Sequence, residues 1–524
     1  MKGAVGAAWG PSGSERMSQE SANPSRPAVP LQRLMTDALG RSVGGVPEAA
    51  VSGLADDSRQ VQPGWLFIAV AGHETDGHRF VPDAVARGAS AVLVDRAVDP
   101  VGSVPVIRVP DTRVAAARLA AVFYGVARAQ AEGRLRVVAV TGTNGKSTFC
   151  YLTRSVVGAA GHACALLGTV EYDLIGRSIP ALVTTPGPVA LAAYAAEAMT
   201  AGAEVIVLEA SSHALDQHRT DGLAVEVGVF TNLSGDHLDY HGNEADYLKA
   251  KKRLFDGLGN AAVAVLNVDD PASERVAAAC KARRVTYGLN PLGDVHARIG
   301  EITAEGSRFE LITPVGVTEV ATPLVGRHNV VNCLAAASAG MALGVELEAI
   351  REGLASVQRV SGRLERVARD GAVGDPTVLV DYAHTDDALR NVLSALQPLK
   401  RGRLIVVFGC GGDRDRTKRP RMARSAGEHA DEVVVTSDNP RTEEPEVIIE
   451  EIVAGFEARD LQRVTIEPDR RQAIERAIID AGPDDVVLIA GKGHETYQVL
   501  GRRRVPFDDR QIALACLQQR AGSG

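Results

Sequence analysis

A short apolar run, Val137-Val138-Ala139-Val140, leads straight into Thr141-Gly142-Thr143-Asn144-Gly145-Lys146-Ser147-Thr148. A buried strand, a glycine-bearing turn and then a helix constrain this chain more than any other feature it carries. The glycines let backbone amides turn inward around phosphate oxygens, and Lys146 adds a point charge. Ser147 offers a hydroxyl to a phosphate-bound Mg²⁺. In the common form of such a loop the first glycine stands at the place of Val140; here it is Gly142, so the loop is a shortened one. The reading is ATP binding through Gly142, Thr143, Asn144, Gly145, Lys146, Ser147 and Thr148. The alternative is a tight structural turn.

Such a loop needs an α/β scaffold around it. Between about 133 and 362, short runs of Val, Ala and Ile alternate with Ala-rich helical stretches, which predicts a largely parallel sheet covered by helices. Ahead of it, residues 31–132 read as a smaller α/β unit. Its strands are expected at Trp65-Leu66-Phe67-Ile68-Ala69-Val70 and Ala91-Val92-Leu93-Val94, with helices over 80–87 and 114–130. Residues 363–524 show apolar runs at Val378-Leu379-Val380, Leu404-Ile405-Val406-Val407-Phe408, Val433-Val434-Val435 and Val486-Val487-Leu488-Ile489, separated by amphipathic stretches such as 446–456. That alternation predicts a doubly wound, Rossmann-like domain. Nothing periodic and apolar precedes Leu31, so residues 1–30 read as a disordered tail, and Met17 could serve as the start. The expected class is α/β in three domains.

Composition narrows the function. Of 524 residues, 45% are hydrophobic but only 4% aromatic, so the cores must be aliphatic. A net charge of −8 gives no general attraction to nucleic acid or anionic lipid, and neither partner is expected. No apolar run approaches the ~18 residues of a membrane span. The first thirty residues lack the apolar segment of a signal peptide. Six scattered cysteines without a CxxC pair argue against a disulfide framework or zinc cluster and fit a reducing cytoplasm.

Lys251 stands out by position. At 100° per residue, Tyr247, Lys251, Leu254 and Phe255 share one side of a helix, whereas Lys249, Lys252 and Arg253 fall mostly on the other. An ammonium on an apolar face is disfavoured relative to its neutral amine, and a neutral amine can take up CO₂ as a carbamate. The alternative is a lysine reaching out to solvent. Glu209 and His237 each follow a strand-like run, Val205-Ile206-Val207-Leu208 and Val227-Gly228-Val229-Phe230-Thr231. Ligands gather at such strand ends, although a hydrogen-bonded loop pair would leave the same pattern.

The shortened loop resembles that of the Mur ligases and folylpolyglutamate synthetases. Further motifs resemble the Mur ligases in order along the chain: Glu209-Ala210-Ser211-Ser212-His213, Asn232-Leu233-Ser234-Gly235-Asp236-His237, Gly326-Arg327-His328-Asn329, Asp381-Tyr382-Ala383-His384-Thr385, Gly411-Gly412-Asp413-Arg414-Asp415 and Asp438-Asn439-Pro440-Arg441. The likeness runs from about Leu31 to the C-terminus and points to the branch that adds diaminopimelate to UDP-N-acetylmuramoyl-L-Ala-D-Glu, using ATP and Mg²⁺ through an acyl phosphate. It implies a monomer working in cytoplasmic cell-wall precursor synthesis. Two positions depart from the family: Asp386 and Ser361 stand where proline is usual, which alters loop rigidity more than chemistry.

The resemblance also implies roles. Lys146, Lys251 and His237 become catalytic residues. Ser147, Glu209, His237 and a carbamoylated Lys251 become metal ligands. Asn329 and Arg363 fall on the ATP side. Ser58, His73, Glu74 and Thr75 match segments holding the uridine end, where turn and N-cap chemistry is the plainer reading. Thr184, Thr185, Ser211, Gln217 and Arg219 match contacts to the muramoyl-dipeptide. Arg414, Asp438, Asn439, Pro440, Arg441, Gly491 and Glu495 match the surroundings of diaminopimelate. Two guanidinium forks suit carboxylates there, and Glu495 suits an ammonium. A surface salt bridge from Arg441 to Glu443 or Glu444 is the plainer alternative. The nearest rival enzymes add lysine or glutamate on the same fold, and a rival of another class is a nucleotide-binding regulator without activity. A hinge is expected at 360–363, where Ser361-Gly362 reads as a flexible link.

Overall fold

The computed structural model describes residues 27–40, 48–72, 75–100, 102–369 and 374–522. Most of the tail expected over 1–30, and the site candidates His73 and Glu74, lie outside the described residues.

Four parallel strands, Gly53–Ala55, Trp65–Ile68, Ala91–Val94 and Val106–Arg108, form the first sheet in chain order. Leu54, Leu66 and Leu93 on one face meet Leu31, Leu34 and Met35 of the helix Leu31–Leu39 and Ala116 and Leu119 of the helix Thr112–Phe123. Phe67 and Val92 on the other face pack on Val81 and Ala84. The single helix expected over 114–130 is two, Thr112–Phe123 and Val126–Ala131. Gly125 separates them at φ +77°, a turn that glycine makes without strain.

The second sheet has eleven strands. Seven run parallel, in spatial order Cys164–Leu167, Val205–Glu209, Arg136–Thr141, Val227–Phe230, Val263–Asn267, Arg283–Gly288 and Val295–Thr303. The helix Lys146–Ala159 covers one face with Arg327–Ala342, burying Phe149, Leu152, Val330 and Leu334. Beyond the parallel run lies an antiparallel meander, Val295–Thr303, Gly306–Thr313 and Gly316–Thr322, which the sequence reading did not anticipate. In Gly306–Thr313 burial alternates residue by residue, so one face stays wet and no continuous apolar run marks it.

The third sheet is doubly wound as expected. Five strands run parallel in the order Thr377–Asp381, Val486–Ala490, Leu404–Phe408, Glu432–Val435 and Val464–Ile466, with Glu365–Val367 antiparallel at one edge. Helices Asp386–Leu396, Lys418–His429 and Pro445–Val453 cover one face, and Arg470–Ile479 with Asp509–Gly522 cover the other. Asp386 takes the first helical position after the cap Thr385, whose hydroxyl accepts from Ala388 N at 3.2 Å. Proline suits that position, and an acid there favours the helix dipole, so the substitution keeps the helix start. Ser361 accepts a hydrogen bond from Arg510.

The link between second and third sheets is tighter than its glycine suggested. Gly362 has φ +65°, and a Cβ there would lie 2.1 Å from His494 N. Its amide donates to Glu365 Oε2 at 2.8 Å. Close passage beneath the 491–494 loop, rather than slackness, requires the glycine.

Candidate active site

The phosphate loop is shaped by its neighbour. Gly142, at φ +150°, passes so near Thr231 that a Cβ would lie 1.8 Å from its Oγ1, and one on Gly145 would lie 2.4 Å from Asn332 Oδ1. Asn144 N donates to Asn232 Oδ1 at 2.9 Å, and Thr231 Oγ1 donates to Asn144 O at 2.7 Å. Thr143 Oγ1 lies 3.2 Å from Tyr247 Oη, and Thr148 is buried in the first helical turn. Lys146 Nζ folds back on the loop, donating to Gly142 O at 3.0 Å and Thr143 O at 2.8 Å. Burial holds its pKa below the usual lysine range, against the pull of Glu209 and Asp236.

A cavity of about 320 Å³ opens over this loop and is closed on its far side by the third sheet. Ser147, Thr184, Glu209, Ser211, His237, Lys251, Asn329 and Arg363, all singled out from the sequence, line it together with the loop. Arg363 Nη2 donates to Ser147 Oγ at 3.1 Å, and its guanidinium stacks 4.9 Å from the Tyr382 ring centroid. Glu209, 1% exposed, accepts from Thr169 N at 2.8 Å and from Thr169 Oγ1 at 2.9 Å. His237 takes φ +54°, with Nε2 3.5 Å from Asp236 Oδ2.

Lys251 does not reach solvent. It is 1% exposed, donates to Gly142 O at 2.8 Å, and sits 4.2 Å from the Tyr247 ring centroid. Burial, reinforced by Lys146, pushes its pKa well below the ordinary value.

Thr185, Ser211, Gln217 and Arg219 form a hydrogen-bonded wall beside the cavity. Thr185 Oγ1 donates to Glu209 O at 2.6 Å and lies 3.2 Å from Ser211 Oγ, while Arg219 donates to Thr185 O at 2.7 Å and Gln217 Oε1 at 2.8 Å. Ser58 and Thr75 do not line this cavity. They follow the strands Gly53–Ala55 and Trp65–Ile68, where Ser58 Oγ donates to Asp83 Oδ2 at 3.0 Å and Thr75 O accepts from Gly72 N. Asp57 accepts from Arg59 N, the N-cap chemistry weighed above.

Arg414, Asp438, Asn439, Pro440, Arg441, Gly491 and Glu495 gather at the strand ends of the third sheet, across Tyr382 from the loop. Arg441 makes no bridge to Glu443, whose carboxylate is taken by Arg419 at 2.8 Å; its Nη1 donates instead to Gly412 O at 2.6 Å. Gly491, at φ +113°, leaves room for Asp438, since a Cβ would lie 2.7 Å from Asp438 Oδ2. Glu495 Oε2 accepts from buried Lys492 at 2.7 Å and from Asn439 Nδ2 at 2.9 Å.

Several site residues were given no role from the sequence. Asn332 lies one helical turn after Asn329 and donates to its Oδ1 at 3.1 Å; two buried asparagines at i, i+3 were the available signal. Asp381 ends a strand and accepts from Leu364 N at 2.7 Å and Ala383 N at 2.8 Å. Asp236 is held below the usual carboxylate range by His237, His384 and Lys146, although burial opposes them. Nothing local marked Asp56. Its carboxyl is pushed up to about 6, chiefly by burial, with Arg219 opposing.

Asp56 gives a pH-dependent prediction. Because its folded pKa is raised, the fold gains from this group at low pH and loses that gain as pH rises through about 6. Asp56→Asn should therefore match the parent near pH 4 and exceed its stability near pH 8, by up to about 2–3 kcal/mol. Urea titrations at both pH values measure the gap, and an equal gap at both contradicts the assignment.

The family comparisons agree with this architecture. Profiles of the Mur ligase family catalytic domain, the Mur ligase middle domain and the Mur ligase glutamate ligase domain match residues 50–124, 140–340 and 362–493. The chain belongs to the Mur ligase family. It is 45% identical over 501 residues to the UDP-N-acetylmuramoyl-L-alanyl-D-glutamate–2,6-diaminopimelate ligase of Gloeobacter violaceus, covering 95% of this chain and 100% of that one. The enzyme of the same name from Geobacillus thermodenitrificans is 46% identical over 498 residues, covering 94% and 99%. A solved structure of a ligase of that name is 33% identical, with a TM-score of 0.66 over 94% of this chain and all of that chain. Among the described residues no helix is long and apolar enough to cross a membrane.

Proposed function

We propose that this chain is an ATP-dependent ligase joining an amine of 2,6-diaminopimelate, in its meso form, to the D-Glu γ-carboxylate of UDP-N-acetylmuramoyl-L-Ala-D-Glu in cytoplasmic peptidoglycan precursor synthesis. The observation that carries the reading is one cavity bringing the phosphate loop, Glu209, His237 and Lys251 against Arg363 and Tyr382, with the paired arginines Arg414 and Arg441 beyond. The units working together are 31–132 for the uridine end, 133–362 for ATP and 363–524 for the amino acid, in a monomer.

The loop amides and Lys146 hold the ATP phosphates, and Asn329 and Arg363 serve the same co-substrate. The Thr184–Thr185–Ser211 hydroxyls, with Gln217 and Arg219, orient the dipeptide carboxylate toward the γ-phosphoryl group. The carboxylate attacks phosphorus and displaces ADP, giving an acyl phosphate; the amine then attacks the acyl carbon and phosphate leaves. The oxygen donors fit Mg²⁺, since the Ser147 hydroxyl and the buried Glu209 carboxylate are hard ligands; His237, lining the same cavity, would add an imidazole nitrogen. Lys251 as an amine does not fit, since it donates to Gly142 O; as a carbamate it offers oxygens instead. Bound there, the ion neutralises charge on the transferring phosphoryl group.

Phosphate release should require both the nucleotide-dipeptide and an amino acid, and a panel of amino acids tests the reading. Release with neither substrate contradicts it. The third sheet closes this cavity, with Arg363 bonded to Ser147, so substrates enter from a more open arrangement that closes on binding, with 360–363 as pivot. Small-angle scattering should show a smaller radius of gyration with an ATP analogue plus nucleotide-dipeptide, and unchanged curves contradict closure.

A further inference from the structure

We propose that Arg419 is the positioning residue of the amino-acid site: a buried guanidinium that clamps the two loops bearing Arg414 and Arg441 in register and so sets selectivity for a second carboxylate. The proposal rests on reading those two arginines as contacts to the incoming amino acid. Arg419 belongs to the helix Lys418–His429, is fully buried, and does not line the cavity over the phosphate loop.

Its geometry is that of a clamp. Nη1 reaches Glu443 Oε2 at 3.0 Å and Glu451 Oε2 at 2.7 Å; Nη2 reaches Glu443 Oε1 at 2.8 Å and Gly411 O at 3.4 Å. Glu443 Oε1 in turn accepts from Asp413 N at 2.6 Å. One guanidinium and one carboxylate therefore tie the helix to both loops. The loops meet directly as well: Gly412 N donates to Asn439 O at 2.9 Å and Thr442 Oγ1 to Asp413 Oδ1 at 2.8 Å. A Cβ on Gly412 would lie only 1.9 Å from Pro440 O.

Backbone strain at the junction is an independent sign. Asp413 has φ +52° and Arg441 φ +54°, one on each loop, both in the left-handed region that ordinary side chains rarely adopt. Such conformations persist where surroundings over-determine them, and they gather where side chains must be aimed. Removing Arg419 leaves Glu443 and Glu451 without their buried partner. The loops then relax, and Arg441, whose Nη1 donates to Gly412 O, loses its aim.

The test compares Arg419→Met, Glu443→Gln and Arg441→Ala, with the Arg419→Met/Arg441→Ala pair. Arg419→Met should lower kcat/KM for diaminopimelate about 10- to 100-fold through KM, with KM for ATP and the nucleotide-dipeptide little changed. The double variant should be no worse than Arg441→Ala alone, because Arg419 acts through Arg441. Arg419→Lys should recover part of the loss. If Arg419→Met fails to fold, Glu443→Gln carries the same comparison. Equal rises in KM for all three substrates, or multiplying effects in the double variant, overturn the proposal. If Arg441→Ala raises KM for diaminopimelate while Arg419→Met and Glu443→Gln do not, this inference fails alone. If Arg441→Ala leaves that KM unchanged, the reading of the amino-acid site fails and takes the clamp with it.

Discussion

Lys251→Ala is expected to lose nearly all ligase turnover, on the order of 10²- to 10³-fold in kcat, and to regain part of it with bicarbonate or a short carboxylic acid. The lysine is 1% exposed, and Lys146, which acts on it more strongly than the opposing Asp236, carries the same sign. Burial and that neighbour both favour the neutral amine, the form that adds CO₂. On the proposed reading, a carbamate turns this amine into an oxygen donor beside the phosphate loop and acts as a ligand rather than as a proton donor, so a small diffusible carboxylate in the space left by alanine should replace it. Carbamates are lost in acid, so rescue of activity is a better readout than mass spectrometry. Full activity of the alanine variant contradicts this account.

Arg441→Ala should raise KM for diaminopimelate far more than KM for ATP or the nucleotide-dipeptide. On the proposed reading the contact removed is a charge-assisted hydrogen bond worth about 1.5–3 kcal/mol, or roughly 10- to 150-fold in kcat/KM. Arg441 is half-enclosed, and burial together with Arg414 holds its pKa below the usual arginine range. A substrate carboxylate relieves both effects. Lysine should be a poor substrate for the parent, because it brings no second carboxylate to this pair, and unpaired site groups dominate discrimination. The variant should lose selectivity by becoming worse with diaminopimelate, with little gain for lysine. Equal use of lysine and diaminopimelate by the parent would show that Arg441 does not read the distal carboxylate.

What was legible depended on how local the cause was. Gly142 and Gly145 could be read because their backbone conformation and close neighbours require glycine. Helical periodicity put Lys251 on the apolar face but left open a lysine reaching out to solvent; the structure buries it with Tyr247, Leu254 and Phe255. The meander Val295–Thr322 was missed because its strands wet one face, so no apolar run announces them. Asp56, Lys492 and Arg419 gain meaning only through partners brought by the fold: Arg219, Asn439 and Glu443. Gly362 was read for flexibility, yet its neighbour in space, His494, arrives from the far end of the third domain.

The function proposed for this chain comes down to the bond it makes. The direct measurement is the mass of the nucleotide product when the enzyme receives ATP, Mg²⁺, UDP-N-acetylmuramoyl-L-Ala-D-Glu and equal amounts of meso-diaminopimelate and lysine, with the γ-carboxylate carrying ¹⁸O. The expected product is heavier by one diaminopimelate less water, with one ¹⁸O carried into the released phosphate. A lysine-bearing product, or phosphate free of the label, would contradict it.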